Sequence, residues 1–126
     1  MDGTFDIGAA RRSLAERRAR REKALDARFA EARRDAAAIV ALIADKYHPR
    51  RIYQWGSLLN RRHFWEKSDI DVALEGLRTA TDVFPLMADA EKLTKFPLHI
   101  VDLDRTASEF AGIIRKRGRV VHGQPG

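Results

Sequence analysis

The sequence Gln54-Trp55-Gly56-Ser57 is followed, after eleven residues, by Asp69-Ile70-Asp71. The aromatic and β-branched residues before Gly56 and the alternating apolar residues after Asp69 predict two short strands. Residues two apart on a strand point to the same side of a sheet, so the Asp69 and Asp71 carboxylates should lie together. Adjacent like charges repel each other, and this arrangement therefore indicates a site for a positively charged ligand.

Mg²⁺ would relieve that repulsion, because it binds carboxylate oxygens together with the oxygens of nucleotide phosphates. Gly56 has no Cβ atom, so the backbone can approach a ligand closely, and the amide groups of a short helix starting at Ser57 would favour phosphate. Ser57 adds a hydroxyl donor, and Ser68 is placed to donate to a carboxylate. The pattern predicts Asp69 and Asp71 as metal ligands and catalytic groups, and Gly56, Ser57 and Ser68 as nucleotide-binding residues.

A long helix is predicted before the first strand. No Gly or Pro interrupts the chain from Arg11 to Tyr47, and from Leu25 onward apolar residues recur at steps of three and four. We expect a frayed arm over 1–10, an exposed helical extension over 11–24 and a docked helix over 25–47. The domain boundaries that follow are a basic arm and extension over 1–24, a folded domain over 25–123 and a tail over 124–126.

Further elements are predicted after the two aspartates. Apolar spacing indicates a helix over 80–93, a strand over 98–103 and a helix over 106–117 with Thr106 as its N-cap. A short edge strand follows Gly118. This order predicts an α/β or α+β fold, with a small mixed sheet backed by helices.

Composition supports one globular domain. The chain has 126 residues, 44% of them hydrophobic, and no cysteine, which excludes disulfides and thiolate metal sites. The longest apolar run, Ala36 to Ala44, is too short to span a membrane, so a cytoplasmic location without membrane contact is expected.

The positive charge is concentrated near the start of the chain. Residues 11–35 hold ten basic and five acidic residues, a net charge of +5 out of +6 for the whole chain. Three interpretations are open: a solvated helix, contact with nucleic acid phosphates, or docking onto an acidic partner. The charges surround the helix, and within residues 11–35 no aromatic residue precedes Phe29, which disfavours specific nucleic-acid readout.

The loop 60–67 also has two interpretations. It contains Arg61, Arg62, His63, Phe64 and Trp65, which could stack on a base and contact triphosphate oxygens. Alternatively, it is a surface loop that buries its tryptophan.

The segment Ser68-Asp69-Ile70-Asp71-Val72-Ala73-Leu74-Glu75-Gly76, together with Gly56-Ser57, resembles the minimal nucleotidyltransferases of the DNA polymerase β superfamily. The resemblance runs from about Ala36 to His122. It implies a nucleotidyltransferase fold that binds ATP with Mg²⁺ and transfers the nucleotide. Many such proteins resemble antitoxins that silence a HEPN-domain toxin by attaching AMP, so the resemblance also implies a HEPN-type toxin as the protein partner.

His99 departs from the family pattern. The family carries a third catalytic acid on the later strand, and an alignment without gaps places that acid at His99. Asp102 matches a second, non-catalytic acid of the pattern and points to the opposite face of the strand. His99 could accept a proton or supply a nitrogen ligand, which makes it a candidate catalytic residue. It could equally be an inert replacement in a weakened site, since Mg²⁺ prefers oxygen ligands.

Two functions follow. The first is Mg²⁺-dependent transfer of AMP from ATP to a hydroxyl of a partner protein, with one metal held by Asp69 and Asp71 and a slow reaction. The second is a degenerate nucleotidyltransferase module that inhibits or scaffolds a partner by binding alone. One small domain leaves little room for an acceptor pocket, which favours a protein acceptor over a small molecule.

Overall fold

A central sheet of four strands is surrounded by three α-helices in the computed structural model, which describes residues 5–124. In chain order the elements are α1 (Ile7–Tyr47), β1 (Arg51–Trp55), β2 (Ile70–Glu75), α2 (Val83–Glu91), β3 (Leu98–Asp102), α3 (Ser108–Arg117) and β4 (Arg119–His122). Short 3₁₀ turns connect them at Gly56–Leu59, Arg61–His63, Ala80–Asp82 and Leu103–Arg105.

The sheet is mixed, as the sequence predicts. Its strand order is β3-β2-β1-β4. β1 pairs antiparallel with β2 and with β4, whereas β2 and β3 are parallel. The predicted fold class, a small mixed sheet backed by helices with a long N-terminal helix, is therefore confirmed.

The two faces of β2 are buried in different clusters, which follows from the alternation of its side chains. Ile70, Val72 and Leu74 are fully buried in the cluster that includes residues of α1 and α2. Ala73 is buried in a second cluster that includes Ile114 of α3. By the same alternation Asp71 points to the α3 side of the sheet.

Helix α1 is longer than its buried part. The Asp6 side chain accepts a hydrogen bond from Ala9 N–H at 2.9 Å and caps the helix, so α1 begins at Ile7. The expected frayed arm over 1–10 is therefore wrong for residues 7–10, while residues 1–4 lie outside the described residues. None of residues 7–24, here called the overhang, is buried, and the first buried residue is Leu25.

The later helices begin after the predicted residues. α2 starts at Val83, because residues 80–82 form a 3₁₀ turn. α3 starts at Ser108, and its N-cap residue, Ala107, makes no side-chain cap. Thr106 is not the N-cap because its hydroxyl donates to the Asp102 carbonyl at 2.7 Å and closes the preceding turn. Over the described part of the chain, no helix combines the length and the apolar character needed to cross a membrane.

Candidate active site

Asp71 lies at the centre of a group of polar and aromatic residues at one end of the sheet. In the strand register it stands opposite Trp55 of β1 and His99 of β3. Its side chain is 14% exposed, whereas Asp69 is exposed and directly precedes the first residue of β2. The structure thus gives the paired acids unequal surroundings, one sheltered and one open to solvent.

Gly56 leaves the space in which the Asp71 carboxylate lies. Its φ of +78° falls in the left-handed region, where glycine is favoured. A Cβ atom on Gly56 would lie 3.0 Å from Asp71 Cγ and closer still to Oδ2. The close approach predicted at this glycine is therefore made to the Asp71 carboxylate, and contact with phosphate stays a prediction.

The two serines predicted to bind nucleotide lie in different surroundings. Ser57 is half-buried in the 3₁₀ turn Gly56–Leu59, which is the short helix predicted there. Ser68 is 4% exposed, and its Oγ accepts a hydrogen bond from Trp65 N–H at 2.9 Å. Within residues 5–124 Ser68 makes no hydrogen bond to either aspartate, so its observed role is to hold the loop before β2. A nucleotide contact by Ser57 stays a prediction.

The structure brings His99 to Asp71 and keeps Asp102 away. His99 Nδ1 lies 3.4 Å from Asp71 Oδ1, and the side chain is 54% exposed. Asp102 instead pairs with Leu74 in the register. Its carboxylate accepts hydrogen bonds from the backbone and side chain of the turn that follows β3, at 3.1 and 2.7 Å. His99 is therefore the residue of β3 that can take part in chemistry at Asp71.

The electrostatics of Asp71 are consistent with a bound cation. Burial raises the pKa of the Asp71 carboxyl, and the nearby Asp69 charge raises it further, against an opposing effect of His99. A cation between the carboxylates would favour the ionised form of both. Residues 5–124 contain no cluster of three or more His, Cys, Asp or Glu side chains that could hold a metal. Two carboxylates fit Mg²⁺ that arrives with nucleotide phosphates, since those phosphates complete its coordination.

The loop 60–67 is attached to α1 by ion pairs. Arg61 contacts Asp26 at 2.7 Å and Glu22 at 3.0 Å, so its guanidinium is already occupied. Phe64 is 3% exposed and packs edge-on against an α1 phenylalanine, whereas Trp65 is 53% exposed. The expectation that this loop buries its tryptophan is wrong, because Phe64 fills the space beside α1.

Glu75 was missed by the sequence analysis. It is 2% exposed, and its two oxygens accept hydrogen bonds from Arg50, Arg51 and Arg115 at 2.6 to 2.8 Å. Burial raises the pKa of Glu75, but the hydrogen bonds and charges of these arginines outweigh burial and leave it below the usual range. The available signal was the alternation Asp71, Ala73, Glu75, which places Glu75 on the α3 side of the sheet.

The family of the chain follows from its sequence. Residues 38–125 match the family model described as Polymerase beta, Nucleotidyltransferase. The match covers more than half of the chain and includes Gly56, Ser57, both aspartates and His99, so the chain belongs to this nucleotidyltransferase family. A search of curated protein sequences found no significant match.

Solved structures with a similar fold are chains of toxin–antitoxin complexes. A chain of the toxin–antitoxin MntA–HepT is 18% identical, with a TM-score of 0.57 and 73% of both chains covered. A chain of a toxin–antitoxin structure with AMP-PNP is 19% identical, with a TM-score of 0.57, 69% of this chain covered and 73% of that chain. A chain from a tri-AMPylated Shewanella oneidensis HEPN toxin in complex with MNT antitoxin is 20% identical, with a TM-score of 0.57 and coverages of 74% and 73%. At these identities the likeness shows a shared fold.

Proposed function

We propose that this chain is a Mg²⁺-dependent nucleotidyltransferase that transfers AMP from ATP to a hydroxyl of a partner protein. The observation that carries the proposal is the Asp71 carboxylate seated against Gly56, beside Asp69 and His99, in a member of a nucleotidyltransferase family. Asp69 and Asp71 are the proposed ligands of Mg²⁺, and Gly56 and Ser57 adjoin the phosphates. When bound, Mg²⁺ would neutralise phosphate charge and orient the phosphates for in-line attack.

The proposed reaction is a displacement at the α-phosphorus of ATP. The partner hydroxyl oxygen forms a bond to the α-phosphorus as the bond to the oxygen bridging to the β-phosphate breaks, and pyrophosphate leaves. The hydroxyl proton must pass to a base. The side chain at position 99, which is His99 here and an acid in the family pattern, stands exposed beside Asp71, where either an imidazole or a carboxylate can accept that proton. The product is a partner protein that carries AMP in a phosphodiester bond.

The proposed partner is a HEPN-type toxin, and the proposed role of the chain is that of its antitoxin. This proposal is supported by the toxin–antitoxin complexes among the structural neighbours, one of which contains an AMPylated HEPN toxin. Transfer of AMP would add a phosphate charge and an adenosine to the acceptor residue. A neighbouring gene that encodes no HEPN protein would count against this partner but would leave the transferase chemistry untouched.

The alternative is a degenerate module that inhibits its partner by contact alone. His99 favours it, because a histidine in place of a third acid removes one negative charge from the metal site. In this case nucleotide would not be consumed, and the chain would act through its surface. The two candidates make opposite predictions for variants of the aspartates.

Incubation with ATP labelled at the α-phosphate and with a HEPN-type partner distinguishes the two functions. We expect label on the partner, and we expect Asp69→Asn and Asp71→Asn each to reduce its transfer by about a hundredfold or more, since each removes a metal ligand. Asp89→Asn is a matched control, because Asp89 is paired with Lys46 and lies on α2, which packs on the side of the sheet opposite to Asp71. Partner inhibition that persists in both site variants without labelling would support the binding module instead.

Replacement of His99 tests the third position. His99→Asp restores the acid of the family pattern, so we expect tighter Mg²⁺-dependent ATP binding and transfer raised by about tenfold, because added carboxylate charge holds the metal. Asp102→Asn should change little, since the Asp102 side chain is used in the turn after β3. If His99→Asp and His99→Ala both abolish transfer, His99 acts as the proton acceptor and not as an inert replacement.

A further inference from the structure

The overhang of α1 leaves the folded domain at the end of the sheet that carries the candidate active site. The end of β1 and the start of β2 meet at this end. The loop 60–67 is attached to α1 here, and Arg21 of the overhang forms an ion pair with Glu66 of the loop at 2.8 Å. The same loop leads directly to Asp69. A protein bound along the overhang would therefore lie next to the entrance of the site.

The apolar side of α1 continues into the overhang. Ile7 and Leu14 are seven residues apart, and Leu25 follows after eleven more, which is close to two and three helical turns. The three side chains therefore lie on one side of the helix, and from Leu25 onward this side is buried in the core. Ile7 and Leu14 are 58% and 48% exposed. Two large apolar side chains are thus open to solvent on the line along which the rest of the helix packs.

Two arginines lie beside these apolar side chains. Arg11 is one helical turn after Ile7, and Arg18 is one turn after Leu14. Within residues 5–124 neither arginine side chain makes a hydrogen bond or an ion pair, in contrast to Arg21. Ile7, Arg11, Leu14 and Arg18 form one surface, here called the overhang face, which combines apolar groups with positive charge.

An acidic protein surface fits the overhang face better than a nucleic acid or a second copy of the chain. A phosphate backbone would pair with the arginines but would leave the apolar side chains uncovered, and residues 7–24 contain no aromatic residue on which a base could stack. Two overhangs, each with a large excess of basic over acidic side chains, would repel each other. A protein that places carboxylates beside an apolar groove matches both components of the face.

We propose that the overhang face binds an acidic, partly apolar surface of the protein that accepts AMP, and so holds this partner protein beside Asp69. The inference rests on the proposed transferase function and adds the surface on which the acceptor docks. Docking raises the effective concentration of the acceptor hydroxyl at the site. It should therefore lower the KM for the partner protein and leave the chemical step unchanged.

Charge reversal on one side of the overhang tests the face. Arg11→Glu combined with Arg18→Glu would set two carboxylates against the acidic surface and should weaken partner binding about thirtyfold. Arg12→Glu combined with Arg20→Glu is the matched control, because these residues lie on the opposite side of the helix and the net charge changes equally. We expect the control to lose about threefold or less. Isothermal titration calorimetry at about 0.15 M salt, with the HEPN-type protein used for the transfer measurements, gives both affinities.

Leu14→Ala tests the apolar part of the face without changing the charge. We expect partner binding to weaken about tenfold, because the lost side chain no longer contributes apolar area to the interface. Phe84→Ala is the control, since Phe84 is 73% exposed on α2. In the labelling reaction Leu14→Ala should raise the KM for the partner protein and leave kcat and the KM for ATP unchanged. The melting temperature should also stay unchanged, because the overhang is not buried.

The outcomes separate this proposal from the proposed function. Equal weakening by the two double variants, or wild-type partner affinity in all of them, would overturn the overhang face and leave the Mg²⁺–ATP site intact. Binding of a labelled single-stranded RNA that both double variants weaken, with partner affinity retained, would assign the overhang to nucleic acid. Partner binding lost only in the Arg11 and Arg18 variant, with no label transferred by the wild type, would keep the docking face and refute the transferase. If the wild type does not bind the HEPN-type protein, the docking proposal fails even where ATP binds.

Discussion

Gly56→Ala should abolish most AMP transfer while leaving the protein folded. The added Cβ atom would collide with the Asp71 carboxylate, so Asp71 must move away from its position between Trp55 and His99. A displacement of about 1 Å at a reacting centre can lower a rate about a hundredfold. The strained left-handed backbone should cost about 1 kcal/mol in the free energy of unfolding. Labelled transfer and thermal unfolding, measured on the same sample, separate the two effects.

Gly112→Ala is the matched control for this substitution. Gly112 lies within α3, and a Cβ atom there would meet nothing within 4 Å. Alanine in a helix is favoured over glycine, so this variant should keep its transfer rate and gain about 0.5–1 kcal/mol in stability. Wild-type transfer by Gly56→Ala would mean that the position of Asp71 is not needed for the reaction, and the site assignment would fail.

The largest expected effect on stability comes from Glu75→Gln. The Glu75 side chain is 3% exposed and accepts hydrogen bonds from three arginines. A glutamine amide has no charge and only one acceptor oxygen, so it would not satisfy all three arginines. Arg50 and Arg115 are 65% and 38% exposed and can turn to water, which limits the penalty. We expect a loss of about 2 kcal/mol in the free energy of unfolding. For a domain of this size the melting temperature should fall by about 5–10 °C.

The effect of Glu75→Gln should depend on pH. The folded-state pKa of Glu75 is lowered below 4.5, so its carboxylate stabilises the fold fully above that ordinary value. As pH falls below 4.5 and then through the folded-state pKa, the stabilisation by the Glu75 carboxylate is lost. The free energies of unfolding of the wild type and of Glu75→Gln should then converge. Glu66→Gln is the control, since Glu66 and its partner Arg21 are both exposed and their pairing should matter little. If the difference in the free energy of unfolding between the wild type and Glu75→Gln stays constant from neutral to acidic pH, the charge of Glu75 is not what stabilises the fold.

Local periodicity predicted the parts of this molecule that depend on neighbouring residues. The alternation around Asp71 correctly assigned each side of β2, and the three-residue spacing between His99 and Asp102 separated the residue at the site from the residue in the turn. The predicted end of the docked helix at Tyr47 is confirmed. These features follow from the geometry of strands and helices and need no information about distant contacts.

Features set by contacts between distant segments were not predictable from the sequence. The role of Glu75 was not predicted, because its three arginine partners lie 24, 25 and 40 positions away along the chain. A pocket of about 480 Å³ depends on how α3 packs beside the turn after β1, which no local pattern determines. The predicted N-cap Thr106 failed for a local reason, because its hydroxyl donates to the Asp102 carbonyl four residues earlier and closes the turn before the helix.

The overhang gives the molecule a strongly uneven charge distribution. Residues 7–24 carry seven basic and two acidic side chains, so they hold +5 of the net charge of +6. At about 1.5 Å per residue they extend about 27 Å along the helix axis from the first buried residue. Charge separated over such a length creates a large electric dipole, with its positive end at the tip of α1. An approaching acidic surface would be turned toward that tip before any contact forms, and added salt would weaken this orientation.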